Sequence, residues 1–188
     1  MLDIEGNLFA QNVDAICITT NGFVKKDGRC VAGRGCAKEA RDRWPDFDLD
    51  LGTSIHKYGN VPSLIIKSLE SDVTYDVLSF PVKPEYGYCN LDGSNVVKHM
   101  RNRFKTAYRD SRNRIIRGDR VPGWATTAQL PLIIDSAKKL VELADRLNYK
   151  KVVIPRPGCG AGELSWETVQ PELNKILDNR FHSITFKK

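Results

Sequence analysis

Two glycine-rich stretches are the parts of this sequence best suited to chemistry: Val31-Ala32-Gly33-Arg34-Gly35 and Pro155-Arg156-Pro157-Gly158-Cys159-Gly160-Ala161-Gly162. Each lies where a short apolar run gives way to a helical pattern. Glycine lets the backbone turn tightly and approach a ligand closely. The free N–H groups at a helix start favour an anion, and Arg34 adds charge to the first stretch. A glycine turn between a strand and a helix is also needed in many folds for packing alone, so the first stretch by itself says little. In the second, three glycines fall within the five residues Gly158 to Gly162, more than a simple connection needs. Two such loops in one small sheet can approach a diphosphate from both sides. Neither closes in Gly-Lys-Ser/Thr, which excludes a P-loop, and neither matches the dinucleotide pattern GxGxxG.

The elements that must position these loops follow from the patterning. Ala15-Ile16-Cys17-Ile18-Thr19-Thr20 reads as a buried strand ending at Asn21-Gly22, a turn signal. Cys36 to Trp44 reads as a helix stopped by Pro45, and a second helix starts near Asp46 and ends before Gly59. Leu64-Ile65-Ile66 and Tyr75 to Phe80 are further strands, the latter stopping at Pro81, which cannot donate to a central ladder. From Thr127 to Asn148, apolar residues recur at helical spacing, including Ile133, Ala137, Leu140 and Ala144. Lys151-Val152-Val153-Ile154 is a strand, Ser165 and Thr168 stand at the start of another helix, and Ser183 to Phe186 is the last strand. This alternation predicts an α/β layered domain. Between Pro84 and Thr126 the pattern weakens. That stretch reads as an insertion at one end of the sheet and not a second domain, because it has too few apolar residues for a core of its own.

Composition narrows the class. A chain of 188 residues, 41% hydrophobic and 28% charged, fits one globular domain. No apolar run approaches a membrane span, so no membrane partner is expected. The N-terminus carries an early acid and no apolar signal core. Five cysteines without close pairing, and no CxxC, suit reduced thiols in a cytoplasmic protein. The histidines His56, His99 and His182 are scattered, so no metal and no cofactor are expected. The net charge of +6 suits an anionic partner. Much of it falls between Lys98 and Arg120, where arginines alternate with Phe104 and Tyr108. Arg101 to Arg120 can contact a nucleic-acid backbone or simply form a solvated helix face.

Gly6-Asn7-Leu8-Phe9, Val13-Asp14-Ala15-Ile16, Thr19-Thr20-Asn21, Val31 to Ala37 and Ile154 to Trp166 together resemble a macrodomain. Within that superfamily they are most similar to the branch of terminal ADP-ribose glycohydrolases and DNA ADP-ribosyl glycohydrolase antitoxins. The run Gly158-Cys159-Gly160-Ala161-Gly162-Glu163-Leu164-Ser165-Trp166 is the most specific part. The likeness covers residues 1–188 as one macrodomain, except for the insertion at about 84–126. It implies a three-layer α/β/α fold with a central mixed sheet, and ADP-ribose or an ADP-ribosylated substrate as partner.

The resemblance also implies roles. Gly6, Asn7 and Leu8 would lie near the adenine; many macrodomains have aspartate at the position of Asn7. Asn21 would face the distal ribose as a positioning residue, since an amide does not titrate. Ala32, Gly33, Arg34 and Gly35 would meet the diphosphate. Pro157, Gly158, Cys159, Gly160, Ala161 and Gly162 would close over the phosphates and the distal ribose. Lys83, just past a Phe-Pro strand end, matches a lysine implicated in removing ADP-ribose. It would act as a nucleophile or as a cation stabilising the leaving charge; without the resemblance it reads as a surface lysine. The terminal glycohydrolases have a catalytic aspartate where Gly162 stands, which leaves Glu163, one residue on, as a second candidate. Cys159 beside a helix start is a conceivable thiolate but reads better as packing. The stretch Gly22 to Cys30 is additional to the antitoxin pattern and is expected near the substrate entrance. Three functions remain open: an ADP-ribosyl hydrolase, an ADP-ribose 1″-phosphate phosphatase, and a binding module without catalysis.

Overall fold

The computed structural model of the chain describes residues 1–68 and 74–186. The chain forms a six-stranded sheet from β1 (Leu2–Glu5), β2 (Ala15–Asn21), β3 (Leu64–Ile66), β4 (Asp76–Lys83), β9 (Val152–Pro155) and β10 (Phe181–Thr185). The strand order is β1-β10-β9-β2-β4-β3. All neighbours are parallel except β3, which runs antiparallel to β4 at one edge, so the sheet is mixed.

Helices cover both faces, because successive side chains of a strand point to opposite sides. Ala15, Cys17, Leu78, Phe80, Val152 and Ile154 pack against α3 (Leu130–Leu147) and α4 (Trp166–Asn174). Ile16, Ile18, Val77 and Val153 pack against α1 (Gly35–Arg43) and α2 (Phe47–Tyr58). This is the expected three-layer α/β/α arrangement. The stripe Ile133, Ala137, Leu140 and Ala144 of α3 is fully buried, as its helical spacing predicts. Truncating one of its large members costs about 2–5 kcal/mol.

Two boundaries near the cleft differ from the sequence reading, and the last strand also begins earlier, at Phe181, and ends at Thr185. Strand β4 does not stop at Pro81 but runs to Lys83. Ser79 donates its N–H to Ser63 O on the β3 side. Alternate residues of a strand point their N–H groups the same way, so Pro81 faces that side too. The register of β3 ends opposite Leu78, so no partner strand there needs the missing donor. Helix α3 starts at Leu130, not Thr127. The N–H groups of Thr127, Ala128 and Gln129 are taken by Asn95 O, Gly162 O and Val82 O. They tie the approach to the insertion, the second glycine loop and β4 before the helix begins at Leu130, with Pro131 in its first turn. Strand β1 has no counterpart in the sequence reading; it is a mostly exposed edge with little apolar alternation.

The insertion is not a solvated helix. It holds a small sheet of β5 (Tyr86–Tyr88) and β8 (Arg120–Pro122), a hairpin of β6 (Tyr108–Arg109) and β7 (Ile115–Ile116), and a 3-10 segment, Lys98–Arg103. Cys89, Val96, Val97, Met100, Val121 and Ala125 form its buried cluster. The stretch Gly22 to Cys30 folds onto α2: Arg29 pairs with Asp48 at 2.5 Å, and Cys30 N–H donates to Asp48 O.

Candidate functional site

The site forms where strands part. Strand β2 pairs with β9 only at Ala15 and Ile16, but it follows β4 as far as Asn21 opposite Lys83. The divergence of β2 and β9 opens a wedge at their carboxyl ends, the usual place for a ligand in an α/β sheet. A cleft of about 930 Å³ fills this wedge, a size that suits a nucleotide-scale ligand. The first glycine loop and the start of α1 form one wall, the second glycine loop another, and the insertion a third.

The glycines divide into two kinds. A Cβ on Gly33 or Gly160 would project into open space, and both are exposed residues of the cleft wall. Gly158 and Gly162 are packing positions. At Gly158, with φ of 75°, a Cβ would come within 2.9 Å of Ala128 Cβ and Ile133 Cδ1. At Gly162 it would lie 2.5 Å from Gly158 O and 2.6 Å from Ala128 Cβ. An acid at this position is therefore not only absent but without room.

Lys83 ends β4 on the cleft and is only 7% exposed. Its Nζ donates to Ala161 O at 2.9 Å and to Trp124 O at 3.4 Å. Burial lowers its pKa to about 8; Glu163 opposes this shift and Arg34 adds to it. The amine thus bridges the second glycine loop and the insertion while facing the cleft. Asn21 is held by its amide: Nδ2 donates to Val31 O at 2.8 Å, and Oδ1 accepts from Phe23 N–H at 3.1 Å. It fixes the entry to the first loop.

The other residues named from the sequence divide between the cleft walls and places outside them. Gly33, Arg34, Gly35, Gly158, Cys159 and Gly160 wall the cleft, as do Asn21, Lys83, Ala161 and Gly162. Gly6, Asn7, Leu8, Ala32, Pro157 and Glu163 lie outside its walls. Asn7 caps the 3-10 turn Leu8–Ala10 through Phe9 N–H, and Leu8 is buried in the core. The Glu163 carboxylate accepts from Lys98 N–H at 2.8 Å, fastening the insertion to the second loop. Cys159 donates to Pro157 O, and burial pushes its thiol up to about 11, which suits packing and not a thiolate. Residues 22–30 do not line the cleft; only Val31 at their end does. No group of three His, Cys, Asp or Glu that could hold a metal is present among the described residues. No helix among them is long and apolar enough to cross a membrane.

The cleft also contains residues that the sequence reading did not place in it. His99, Arg103 and Trp124 come from the insertion, Thr20 from the end of β2 and Phe186 from just past β10. Their only sequence signal was position, since Phe186 follows the last strand and Thr20 precedes Asn21. Arg156 and Trp166 are fixed together: Arg156 pairs with Asp3 at 2.7 Å and stacks on Trp166, whose Nε1 donates to Asp3.

A three-layer sandwich with a ligand cleft between two glycine loops defines the class of protein. Neither a protein-family model nor a curated protein matches the sequence. Solved structures match its fold. The macrodomain of Mycobacterium tuberculosis DarG has a TM-score of 0.60 at 17% identity, over 97% of this chain and 94% of that one. The DarTG of Thermosipho africanus, solved in complex with ADP-ribose, has a TM-score of 0.62 at 16% identity, over 97% of this chain and 40% of that one. The macrodomain of Thermus aquaticus DarG has a TM-score of 0.57 at 16% identity, over 100% of this chain and 97% of that one. The chain has the macrodomain fold.

Proposed function

We propose that the cleft binds ADP-ribose and that the protein removes ADP-ribose from a modified macromolecule, with Lys83 acting at the anomeric carbon. The binding half is supported by the cleft between the two glycine loops and by the likeness to a structure that holds ADP-ribose. Gly33 and Gly160 leave amides free for the diphosphate, and Asn21 stands beside the distal ribose.

One observation carries the catalytic half. Lys83 is a buried amine with its pKa lowered to about 8, and two carbonyls accept from it. A neutral amine has two N–H groups and one lone pair. With Ala161 O and Trp124 O taking the N–H groups, the lone pair is the remaining valence, available to a substrate in the cleft. The amine attacks C1″ of the ribose, the bond to the acceptor breaks, and the acceptor takes up a proton. Water then releases ADP-ribose and restores the lysine. Lys83→Ala is expected to abolish release of free ADP-ribose from a modified substrate. A variant with full activity would remove Lys83 from this role.

A binding module without catalysis is the second reading, and the closed space at Gly162 favours it. Tight ADP-ribose binding with no turnover on any substrate would select it. The acceptor side of the substrate would meet the insertion. Its exposed face carries Arg117 stacked on Tyr88 and Arg120 stacked on Tyr86, a pattern suited to a nucleic-acid strand. Binding to a single-stranded oligonucleotide that weakens steeply with salt is the expected result.

A further inference from the structure

The main sheet ends at β3, where Leu64, Ile65 and Ile66 are half-buried and pair with β4 on one side only. Ser63 O accepts from Ser79 N–H of β4, so by alternation the main-chain groups of Leu64 point outward. An apolar edge strand left open is a template for pairing with another chain. Beside this edge runs a groove between the chain from Tyr58 to Leu64 and one face of α3. Its apolar lining is Tyr58, Val61, Pro62, Leu64, Leu143 and Leu147, of which Tyr58 is 59% exposed and Leu147 36%.

The charges on α3 indicate what covers this edge. Lys139 is already bonded to Asp135, 2.6 Å away. Glu142 and Arg146 are both exposed and stand four residues apart, the spacing that favours an ion pair along a helix. Yet neither has a partner among the described residues. One acid and one base placed about the middle of the same groove wall make that wall complementary to itself. When two copies of it meet antiparallel, Glu142 of each lies opposite Arg146 of the other, and a two-fold axis makes both pairs at once. Antiparallel pairing of two β3 edges requires an axis of the same kind.

We propose that this edge is the interface of a homodimer. The β3 strands of two copies pair antiparallel into one continuous sheet, Tyr58 and Leu147 are covered by the second copy, and Glu142 bonds to the partner subunit's Arg146. No residue of the groove lines the ligand cleft, so both clefts stay open in the dimer, and the inference is independent of what they bind.

Light scattering on the whole protein tests it. At micromolar concentration the wild type is expected to show twice the mass of one chain. Glu142→Arg sets base against base and Arg146→Glu sets acid against acid, so each should weaken dimerisation by at least about tenfold. Mixing the two variants makes every facing pair complementary and should restore the dimer. Both side chains are exposed, and a thermal melt checks that each variant folds. Amide exchange at Leu64 to Ile66 of the wild type should also slow as protein concentration rises, a readout that needs no substitution. A wild type that keeps the mass of one chain throughout the micromolar range overturns the interface, as does a dimer that both single substitutions leave intact. A mixture of variants that stays monomeric, or exchange at β3 that ignores concentration, overturns it equally.

Discussion

Lys83 shows what burial does to a single ionisable side chain. Its charged form is disfavoured in the folded protein, where the pKa is about 8, compared with about 10.4 in an unfolded chain. Below pH 8 both states hold the proton, and the fold bears a cost on the order of 3 kcal/mol. Between pH 8 and 10.4 the unfolded chain holds a proton that the folded chain has lost, so stability rises with pH. Urea denaturation should therefore show wild-type stability gaining on that of Lys83→Met across this window; parallel curves would mean the amine titrates normally. If the neutral amine attacks, ADP-ribose release should rise through pH 8, whereas a lysine acting as a cation would give a rate that falls there. The sequence placed Lys83 at a strand end. It did not show the two carbonyls, because both belong to segments far away along the chain.

At the scale of elements, the glycine loops and the insertion turn out to be one assembly. Ala128 N–H donates to Gly162 O, Lys83 joins Ala161 to Trp124, and Glu163 joins the second loop to Lys98. Introducing an acid by Gly162→Asp should cost roughly 1–3 kcal/mol by overpacking and restore no activity, as read by urea denaturation and an ADP-ribose release assay. Gly160→Ala should leave stability within about 0.5 kcal/mol yet weaken ADP-ribose binding, because its Cβ enters the open cleft. Glu163→Ala should speed amide exchange at Lys98 while reducing ADP-ribose release by less than about tenfold. A loss as complete as that expected for Lys83→Ala would return Glu163 to the chemistry. The strands and helices that carry these loops were legible because they follow simple periods, as in the stripe of α3. The start of α3 and the end of β4 were not, since both depend on where distant N–H groups find partners. The insertion was misjudged for a related reason: its six-residue cluster is spread over Cys89 to Ala125 with no period to reveal it.

For the whole molecule, the mixed six-stranded sheet and its two helical layers are those of a macrodomain, as the motifs around Asn21 and Gly158 to Trp166 implied. The cleft also lies where the two glycine loops predicted it. What the motifs could not convey is that a third wall, including His99, Arg103 and Trp124, comes from the stretch that resembles nothing in the pattern. Under the proposed function, ligand recognition and acceptor choice are divided between the shared sheet and the added segment. The central claim is that this cleft takes ADP-ribose, and calorimetric titration with ADP-ribose, paired with a thermal melt, tests it most directly. The account predicts saturable binding at one site per chain and a melting temperature that rises with ligand concentration. No heat and no thermal shift at millimolar ADP-ribose would contradict it.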